Sequence, residues 1–192
     1  MLPNFLDYHD SNLLPKDGSL EYLYPFFTEA ESQHYFISLL ENISWVQDEM
    51  AIYDKVHPLP RLIAWYGETE EWLPELLQMK QRLEEHTQLS FNTVLLNLYR
   101  NERDHVSWHS DKFKHPDDVK NIVSISLGET RKFQVKHKFD KSLSPISINL
   151  MSGSLVIMKE MQNKWLHRIA LTTKPKGARI NLTFRNVVKS KT

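Results

Sequence analysis

The second half of the chain consists of short alternating segments separated by turn residues, and this pattern limits the possible folds more than any other feature. Eight segments are predicted as β-strands, over residues 91–99, 104–110, 121–127, 131–138, 146–150, 154–158, 165–170 and 178–187. Short strands at fairly regular spacing are typical of antiparallel sandwiches and barrels, whereas a parallel sheet needs helices between its strands. We therefore predict a closed or double-sheet β fold.

The first half predicts two helices and further strands that flank this β region. Residues 1–24 are rich in Asp, Asn, Pro and Gly, and we expect them to be irregular. Thr28 and Glu31 fit a capping box at the start of one helix, and Pro74 suits the first turn of another. The range 45–66 is strand-like. The predicted fold class is mainly β with flanking helices (α+β).

Length and composition bound the class of protein. A chain of 192 residues is most simply a single domain, 1–192. It has no cysteine, so a bound metal would be held by nitrogen and oxygen atoms. We find no apolar run that could cross a bilayer and no signal peptide, and therefore expect a cytoplasmic protein without a membrane partner. We also expect a monomer. A nuclear location is equally compatible if the source is eukaryotic.

The net charge of zero hides an uneven distribution of charge. Residues 1–50 hold nine acidic groups and one basic group, whereas residues 159–192 hold nine basic groups and one acidic group. A second basic stretch, 131–141, contains five Lys or Arg residues and one Asp. Such an arrangement can steer a polyanion toward one face of the protein. The alternative is that these lysines only solvate strand edges and loops.

His109, Asp111 and His167 form an H-x-D…H pattern. On a strand, His109 and Asp111 leave the same face with Cα atoms about 6.6 Å apart, so both can reach one ion. Two histidines and one carboxylate leave three metal positions open, as a non-haem iron oxygenase requires. An H-x-D pair alone often occurs by chance. We predict that the remaining histidines are not ligands: His9, His34, His57, His86, His105, His115 and His137.

The segment from Arg179 to Arg185 alternates strictly between polar and apolar residues, which predicts a strand with two different faces. One explanation is an edge strand whose polar face meets water. The other is a grip for a small dicarboxylic acid. The two arginine Cα atoms would lie about 20 Å apart, and their side chains can lean inward to leave a gap about as long as a five-carbon diacid. Asn97 and Tyr99 share one strand face and can add hydrogen bonds.

Together these segments resemble those of a known family. The pattern Asn97-x-Tyr99, His109-x-Asp111, His167 and Arg179-x-Asn181-x-x-x-Arg185 is similar to that of the AlkB-like Fe(II)/2-oxoglutarate-dependent dioxygenases, most closely the subgroup that repairs alkylated bases in DNA and RNA. The resemblance covers residues 91–187 and the stretch 60–67. It implies a double-stranded β-helix, or jelly roll, as the catalytic core over residues 91–188. Residues 1–90 would then supply an N-terminal extension with helices and a substrate lid.

The resemblance also implies cofactors, roles and a reaction. The cofactors would be Fe(II), 2-oxoglutarate and O₂. His109, Asp111 and His167 would be the metal ligands and act in catalysis through the metal. The 2-oxoglutarate site would comprise Arg179 and Tyr99 at the distal carboxylate, with Arg185, Asn97 and Asn181 near the iron. The reaction would couple oxidative decarboxylation of 2-oxoglutarate to removal of an N-methyl group as formaldehyde, so alkylated DNA or RNA is the expected partner.

Two departures from the family pattern concern the substrate pocket. Phe113 stands where the repair enzymes commonly have an acidic residue, and the lid segment after Gly67 is short. The predicted substrate residues are Arg61, Tyr66, Phe113 and Arg131, and Trp65 or Trp72 could also supply a ring that stacks on a base. The departures leave two alternatives open. In one, the same iron chemistry hydroxylates or demethylates a protein side chain or small molecule; in the other, a jelly-roll module binds a metal without turnover.

Overall fold

The structure, a computed structural model, describes residues 12–52, 55–111 and 120–188. The elements of these ranges are β1 (Ser19–Leu23), α1 (Glu29–Asn42), β2 (Glu49–Ile52), β3 (Lys55–Pro58), β4 (Leu62–Tyr66), α2 (Pro74–Thr87), β5 (Thr93–Tyr99), β6 (Val106–His109), β7 (Asn121–Gly128), β8 (Arg131–His137), β9 (Ile146–Leu150), β10 (Ser154–Lys159), β11 (Trp165–Ile169) and β12 (Arg179–Arg185). Neither of the two helices in the described part is long and apolar enough to cross a bilayer.

Ten of these strands form two antiparallel sheets. The larger sheet has six strands in the order β1-β10-β7-β12-β5-β4, and the smaller has four in the order β6-β11-β8-β9. Strands β2 and β3 form a separate antiparallel pair. The eight strands predicted from the second half correspond to β5 through β12, so the prediction of a double-sheet β fold is confirmed.

The two faces of the six-stranded sheet pack against different layers. One face packs with α1 and α2 in a first hydrophobic cluster that includes Leu39 and Leu96. The other face shares a second cluster with the four-stranded sheet, in which Phe133 and Val156 are buried together. Alternate residues of each strand therefore contribute to different layers. The space between the two sheets holds the candidate site.

Both predicted helix starts are present. Thr28 caps α1, its side chain accepts a hydrogen bond from the main-chain N–H of Glu31, and the Glu31 side chain accepts one from the main-chain N–H of Thr28. Pro74 occupies the first turn of α2. These local interactions fix where the helices begin and thus which of their faces meets the sheet.

The expectation that residues 1–24 are irregular is wrong for β1, which pairs with β10 along its whole length. The polar composition belongs instead to the turn that precedes the strand. There the Asn12 side chain accepts hydrogen bonds from the main-chain N–H groups of Leu14 and Leu20. The strand depends on a partner far along the chain, and a local pattern does not reveal such pairing. The predicted division of the chain at residue 90 stays a prediction, and it crosses the larger sheet, because β1 and β4 precede it.

Candidate metal centre

Three predicted side chains meet between the two sheets. His109 ends β6 and His167 lies directly opposite it on β11. The Nε2 atoms of the two histidines lie 3.6 and 3.7 Å from Oδ1 of Asp111. Ligand atoms of all three residues lie within 4.8 Å of one another. Strand pairing therefore joins the two histidines, and the two-residue spacing after His109 brings in the carboxylate.

The surroundings of the two rings favour nitrogen atoms that can bind a metal. His109 Nδ1 lies 2.9 Å from the carbonyl oxygen of Ser107, which can only accept a hydrogen bond. Nδ1 therefore carries the proton, and Nε2 keeps its lone pair on the side of Asp111. Burial lowers the pKa of His167, so this ring is neutral at neutral pH. Nε2 of each histidine can thus act as a metal donor on the side of Asp111.

Asp111 is the anionic member of the cluster. Burial alone would raise the pKa of Asp111, but the positive charge of Arg185 holds it well below its ordinary value. Arg185 donates from Nη2 to Oδ2 at 2.8 Å. The main-chain N–H of Asp111 donates to Gln162 Oε1 at 3.0 Å. The carboxylate is therefore ionised, with one oxygen bound to arginine and the other directed at the histidines.

This donor set fits a divalent first-row metal. Two imidazole nitrogens and one carboxylate oxygen are the ligands that non-haem Fe(II) takes in oxygenases. Ligand bonds of about 2.1 Å place neighbouring donor atoms about 3 Å apart, slightly less than the 3.6 and 3.7 Å found here. Within the described ranges, no other histidine belongs to such a cluster. His9 and His115 lie outside the described residues.

A cavity of about 180 Å³ lies beside the three side chains. Five further residues with predicted roles line it: Arg61, Asn97, Tyr99, Asn181 and Arg185. Apolar side chains of both sheets, including Phe133 and Met158, form much of the remaining wall. The cavity therefore combines a polar floor on the six-stranded sheet with an apolar wall that limits access of water.

Strand β12 explains the polar floor. It runs between β5 and β7 in the middle of the six-stranded sheet, so its interpretation as an edge strand is wrong. Its polar face points into the protein, where the exposed fraction is 0% for Arg179 and 4% for Arg185. Buried arginines need hydrogen-bond partners and counter-ions. The alternation in the sequence thus marks a polar interior surface and not a solvated one.

Arg179 has donors that the protein does not use. Its Nη2 donates to Ser126 Oγ and to Asn181 Oδ1, both at 2.8 Å, whereas Nε and Nη1 have no hydrogen-bond partner among the described residues. Burial lowers the pKa of Arg179 to about 10, so the group stays charged at neutral pH. Its guanidinium carbon lies 5.2 Å from the ring centre of Tyr99, a cavity residue. A buried cation with unused N–H groups favours an anionic ligand.

Two predicted cofactor residues hold arginines in place. Asn181 Oδ1 accepts hydrogen bonds from Arg179 and, at 2.9 Å, from Ser124, and its Nδ2 donates to Thr183 at 2.9 Å. Asn97 Oδ1 accepts a hydrogen bond from Arg61 Nε at 2.7 Å in the same manner. Both the oxygen and the nitrogen of the Asn181 amide are thus engaged within the protein, and the oxygen orients the guanidinium of Arg179.

The four predicted substrate residues fall in different places. Arg61 lines the cavity. Tyr66 instead faces the helices, where its ring lies 6.5 Å from that of Trp72. Arg131 is 1% exposed and donates to three main-chain carbonyl groups. Tyr66 and Arg131 therefore occupy structural positions away from the cavity mouth. Phe113 lies outside the described residues.

Trp65 is the aromatic residue of β4 on the cavity side of the sheet. It pairs with Leu95, which lines the cavity, and 42% of its surface is exposed. Trp72, the other aromatic considered, packs near Phe184 on the helix side, with ring centres 6.3 Å apart. Of these two tryptophans, only Trp65 can reach a ligand that enters the cavity from solvent.

Sequence analysis missed Gln162, which is 3% exposed and accepts the main-chain N–H of Asp111. Its own carbonyl oxygen accepts a hydrogen bond from Lys138 Nζ at 2.6 Å, and Lys138 also donates to Ser110 at 3.0 Å. These contacts hold Ser110 and Asp111, which follow β6, against the turn before β11. Gln162 belongs to no motif, so only the fold reveals its role.

Comparisons with known proteins agree with this geometry. A family model described as the 2OG-Fe(II) oxygenase superfamily matches residues 19–185. Alpha-ketoglutarate-dependent dioxygenase alkB homolog 3 of Mus musculus is 34% identical over 200 residues, covering 93% of this chain and 70% of that protein. DNA oxidative demethylase ALKBH2 of Homo sapiens is 28% identical over 188 residues, covering 86% and 72%. A solved structure of OsALKBH1 matches with a TM-score of 0.63 and 18% identity, covering 87% of this chain and 97% of that one, which supports the fold.

Proposed function

Because the chain belongs to the AlkB-like members of the 2OG-Fe(II) oxygenase superfamily, we propose that it oxidatively demethylates N-alkylated bases in DNA or RNA. The reaction class is that of an Fe(II)- and 2-oxoglutarate-dependent dioxygenase. The observation that carries the proposal is the His109–Asp111–His167 cluster beside a cavity, together with Arg179, a buried arginine with unused donors next to the cavity residue Tyr99. The name DNA oxidative demethylase, given to relatives, supports the choice of substrate.

We assign the iron to His109, Asp111 and His167. When bound there, Fe(II) would couple the oxidative decarboxylation of 2-oxoglutarate to hydroxylation of the substrate. The protein holds the three donors in place beforehand. The Ser107 carbonyl fixes the ring of His109, and Arg185 keeps Asp111 ionised and directed at the histidines. Such contacts around the ligands set metal affinity as much as the ligands do.

We assign 2-oxoglutarate to the cavity, with its distal carboxylate at Arg179 and Tyr99. The unused N–H groups of Arg179 supply charge-assisted hydrogen bonds, which are stronger than neutral ones. The keto-acid end then lies toward the metal, near Arg185 and Asn97. The apolar wall around Met158 excludes water from the reacting end.

We place the substrate at the more open side of the metal. The side chain of His109 is 39% exposed, whereas that of His167 is 8% exposed. Trp65 and Arg61 flank this side on β4, where the indole can stack on a base and replace part of the lost base stacking. Because β4 precedes residue 90, these contacts support the proposal that residues 1–90 supply a lid over the core at 91–188.

The protein needs no general base for the last step. Hydroxylation of an N-methyl group gives a hemiaminal, which breaks down to the unmodified base and formaldehyde. The task of the side chains is therefore to hold the methyl carbon beside the metal and to exclude water. The cavity and its partly exposed mouth supply both conditions.

Mass spectrometry tests this function directly. Methylated oligonucleotides and methylated peptides are incubated with the enzyme, Fe(II) and 2-oxoglutarate, with Asp111→Ala as the inactive control. We expect loss of the methyl group from an oligonucleotide, with formaldehyde and succinate formed in equal amounts. Demethylation or hydroxylation of peptides alone would support the alternative substrate class. No consumption of 2-oxoglutarate would indicate a binding module.

A further inference from the structure

The outer surface of the four-stranded sheet is basic. Strands β6, β8, β9 and β11 contain no Asp or Glu. Lys132 and Lys136 alternate on β8 with the inward-facing Phe133 and Val135, and Arg168 points outward from β11. None of these three cations forms an ion pair with a carboxylate in the part of the chain that the structure describes. We call the surface formed by Trp108, Lys132, Lys136 and Arg168 the Trp108 face.

Trp108 contacts two of these cations through its indole ring. Lys136 Nζ and the guanidinium carbon of Arg168 each lie 4.4 Å from the centre of its indole ring. Arg168 Nε also donates to Gln134 Oε1 at 2.8 Å. The ring offsets part of the repulsion between the like charges, so the pair stays together without an acidic neighbour. Two cations held close together in this way suit a phosphate group.

The basic surface continues into a groove of about 530 Å³. Lys132 and Gln134 form one side of the groove, and the loop after β11 forms the other with Lys174 and Lys176. Lys176 is neutralised by Glu129 at 3.0 Å. Lys132 and Lys174 are exposed and form no ion pair among the described residues. The groove thus adds unneutralised positive charge beside the Trp108 face.

This surface begins next to the metal centre. Trp108 directly precedes His109 and Arg168 directly follows His167, with side chains on the opposite face of the same strands. Strand β6 is an edge strand of its sheet. A polymer that leaves the cavity at His109 therefore meets Trp108 after passing one strand edge. The four strands together span about 14 Å, a length of a few nucleotides.

We propose that the Trp108 face, in which Arg168 also borders the catalytic cavity, binds the phosphate backbone of the single strand that carries the target base. This inference rests on the proposed function, because it names the partner of the same site. A nucleic acid fits better than an acidic peptide, because arginine and lysine beside an indole can bind phosphate while the ring stacks on a base. The path bends around a sheet edge, which a flexible single strand follows more easily than a stiff duplex.

Binding of an unmodified oligonucleotide tests the surface without requiring turnover. Fluorescence anisotropy compares the full chain with a triple variant, Lys132→Gln, Lys136→Gln and Arg168→Gln, on a labelled single-stranded 15-mer. The matched control, Lys80→Gln, Lys120→Gln and Lys159→Gln, removes the same charge from lysines that are ion-paired elsewhere. We expect the Kd to rise at least about tenfold in the triple variant only. Its salt dependence should lose a slope of about 2, since each single-strand phosphate contact contributes about 0.7.

The possible outcomes separate this proposal from the proposed function. Equal loss of affinity in both triple variants would overturn the Trp108 face, because only total charge would matter. Competition by polyglutamate as strong as that by the oligonucleotide would overturn the choice of nucleic acid. Weaker oligonucleotide binding in the triple variant, together with no demethylation by the unmodified enzyme, would support the role of the Trp108 face and contradict the proposed demethylase function. Demethylation with unchanged binding in the triple variant would remove the face alone.

Trp108 itself is tested as a positioning residue. Trp108→Leu removes the ring that holds Lys136 and Arg168, whereas Trp108→Phe keeps an aromatic face. We expect Trp108→Leu to weaken oligonucleotide binding by about three- to tenfold and Trp108→Phe to restore most of the affinity. Uncoupled consumption of 2-oxoglutarate, measured alongside, shows whether His109 has moved. Equal affinities of Trp108→Leu and the unmodified chain would contradict the role of the ring.

Discussion

Arg179 and Arg185 stand on the same face of β12 and are both buried, yet their electrostatic surroundings differ. Arg185 lies 2.8 Å from a carboxylate oxygen of Asp111. Arg179 donates hydrogen bonds to the neutral oxygens of Ser126 and Asn181, and two of its nitrogens lack a hydrogen-bond partner within the described ranges. One guanidinium therefore has its counter-ion within the folded protein, whereas the other requires a ligand to supply it.

The difference shows that burial alone does not define the role of a charged residue. Arg185 pairs with the carboxylate of Asp111, a proposed metal ligand, and this partner is part of the fold. Arg131 adds further positive charge near Arg179, because its guanidinium carbon lies 5.6 Å from the ring centre of Tyr99, which Arg179 also contacts. Burial and the nearby Arg131 both lower the pKa of Arg179. An anion bound near Arg179 would offset both the burial of its charge and the repulsion from Arg131. We therefore expect a carboxylate to bind there.

The largest effect is expected when the carboxylate of Asp111 is removed, because this group distinguishes the surroundings of Arg185 from those of Arg179. Asp111→Ala deletes the anionic metal ligand and leaves Arg185 without its counter-ion. We expect succinate formation to fall by more than about 100-fold, since changes around metal ligands alone already cost roughly 10- to 100-fold. Asp140→Ala, which removes an exposed carboxylate paired with Lys16, is the matched control and should have little effect. Near-normal turnover in Asp111→Ala would contradict the proposed metal site.

Stability measurements should give different results for the two arginines. Arg185→Met leaves the buried Asp111 unpaired, and we expect the free energy of unfolding to fall by roughly 3–5 kcal/mol. Arg179→Met removes a buried charge that has no counter-ion, so we expect no loss of stability and a gain of up to roughly 2 kcal/mol. Urea unfolding with EDTA and without 2-oxoglutarate measures both values.

This stability test is strict because the two variants are chemically identical changes on one strand. Equal destabilisation by Arg179→Met and Arg185→Met would show that both arginines have compensating partners, and the comparison would fail. Addition of 2-oxoglutarate and Mn²⁺, a redox-inert substitute for Fe(II), then provides a second readout. The thermal shift that 2-oxoglutarate causes should be lost in Arg179→Met, because the ligand no longer finds its cation.

The affinity for 2-oxoglutarate tests whether Arg179 contacts this cosubstrate directly. Arg179→Lys keeps the charge but cannot form two parallel hydrogen bonds to a carboxylate. Loss of one charge-assisted hydrogen bond is worth about 1.5–3 kcal/mol, so the Kd for 2-oxoglutarate should rise about 10- to 150-fold. Isothermal titration with Mn²⁺ measures this change, and Arg100→Lys, on the partly exposed Arg100–Asp104 pair, serves as the control. Unchanged affinity in Arg179→Lys would exclude a direct contact.

The features predicted from sequence are those that local patterns define. Strands β5 to β12 follow from alternation and turns, and the metal cluster follows from the spacing of His109 and Asp111 together with a family pattern. Strand β1 was missed because its pairing with β10 is long-range. Arg131 was predicted to contact the substrate, but three carbonyl groups from distant loops converge on it and allow its burial.

Tyr66 and Gln162 show two further limits of local patterns. Strand β4 is apolar on both faces, so alternation places Tyr66 and Trp65 on opposite sides without saying which side faces the cavity. Gln162 acts on Asp111 through a turn that is brought near only when the two sheets close. In both cases the missing information is tertiary. The sequence shows how side chains alternate along a strand, but not which distant residues they will contact.

A small change at Asn181 tests whether the counter-ion of Arg179 must come from the ligand. Asn181→Asp places a carboxylate where the amide oxygen now lies 2.8 Å from Arg179 Nη2. The Ser124 hydroxyl can still donate to it, and the Thr183 hydroxyl, which now accepts from the amide, can turn to donate. The protein would then supply its own ion pair, as it already does for Arg185 and Asp111. We expect a higher melting temperature without ligand and an increase of about tenfold in the Kd for 2-oxoglutarate, which equals about 1.4 kcal/mol. Asn149→Asp, on the exposed side of β9, adds the same charge outside the cavity and controls for it. If Asn181→Asp lowered both the stability and the affinity for 2-oxoglutarate, the charge of Arg179 would already be balanced within the protein. Arg179 would then not differ from Arg185 in this respect.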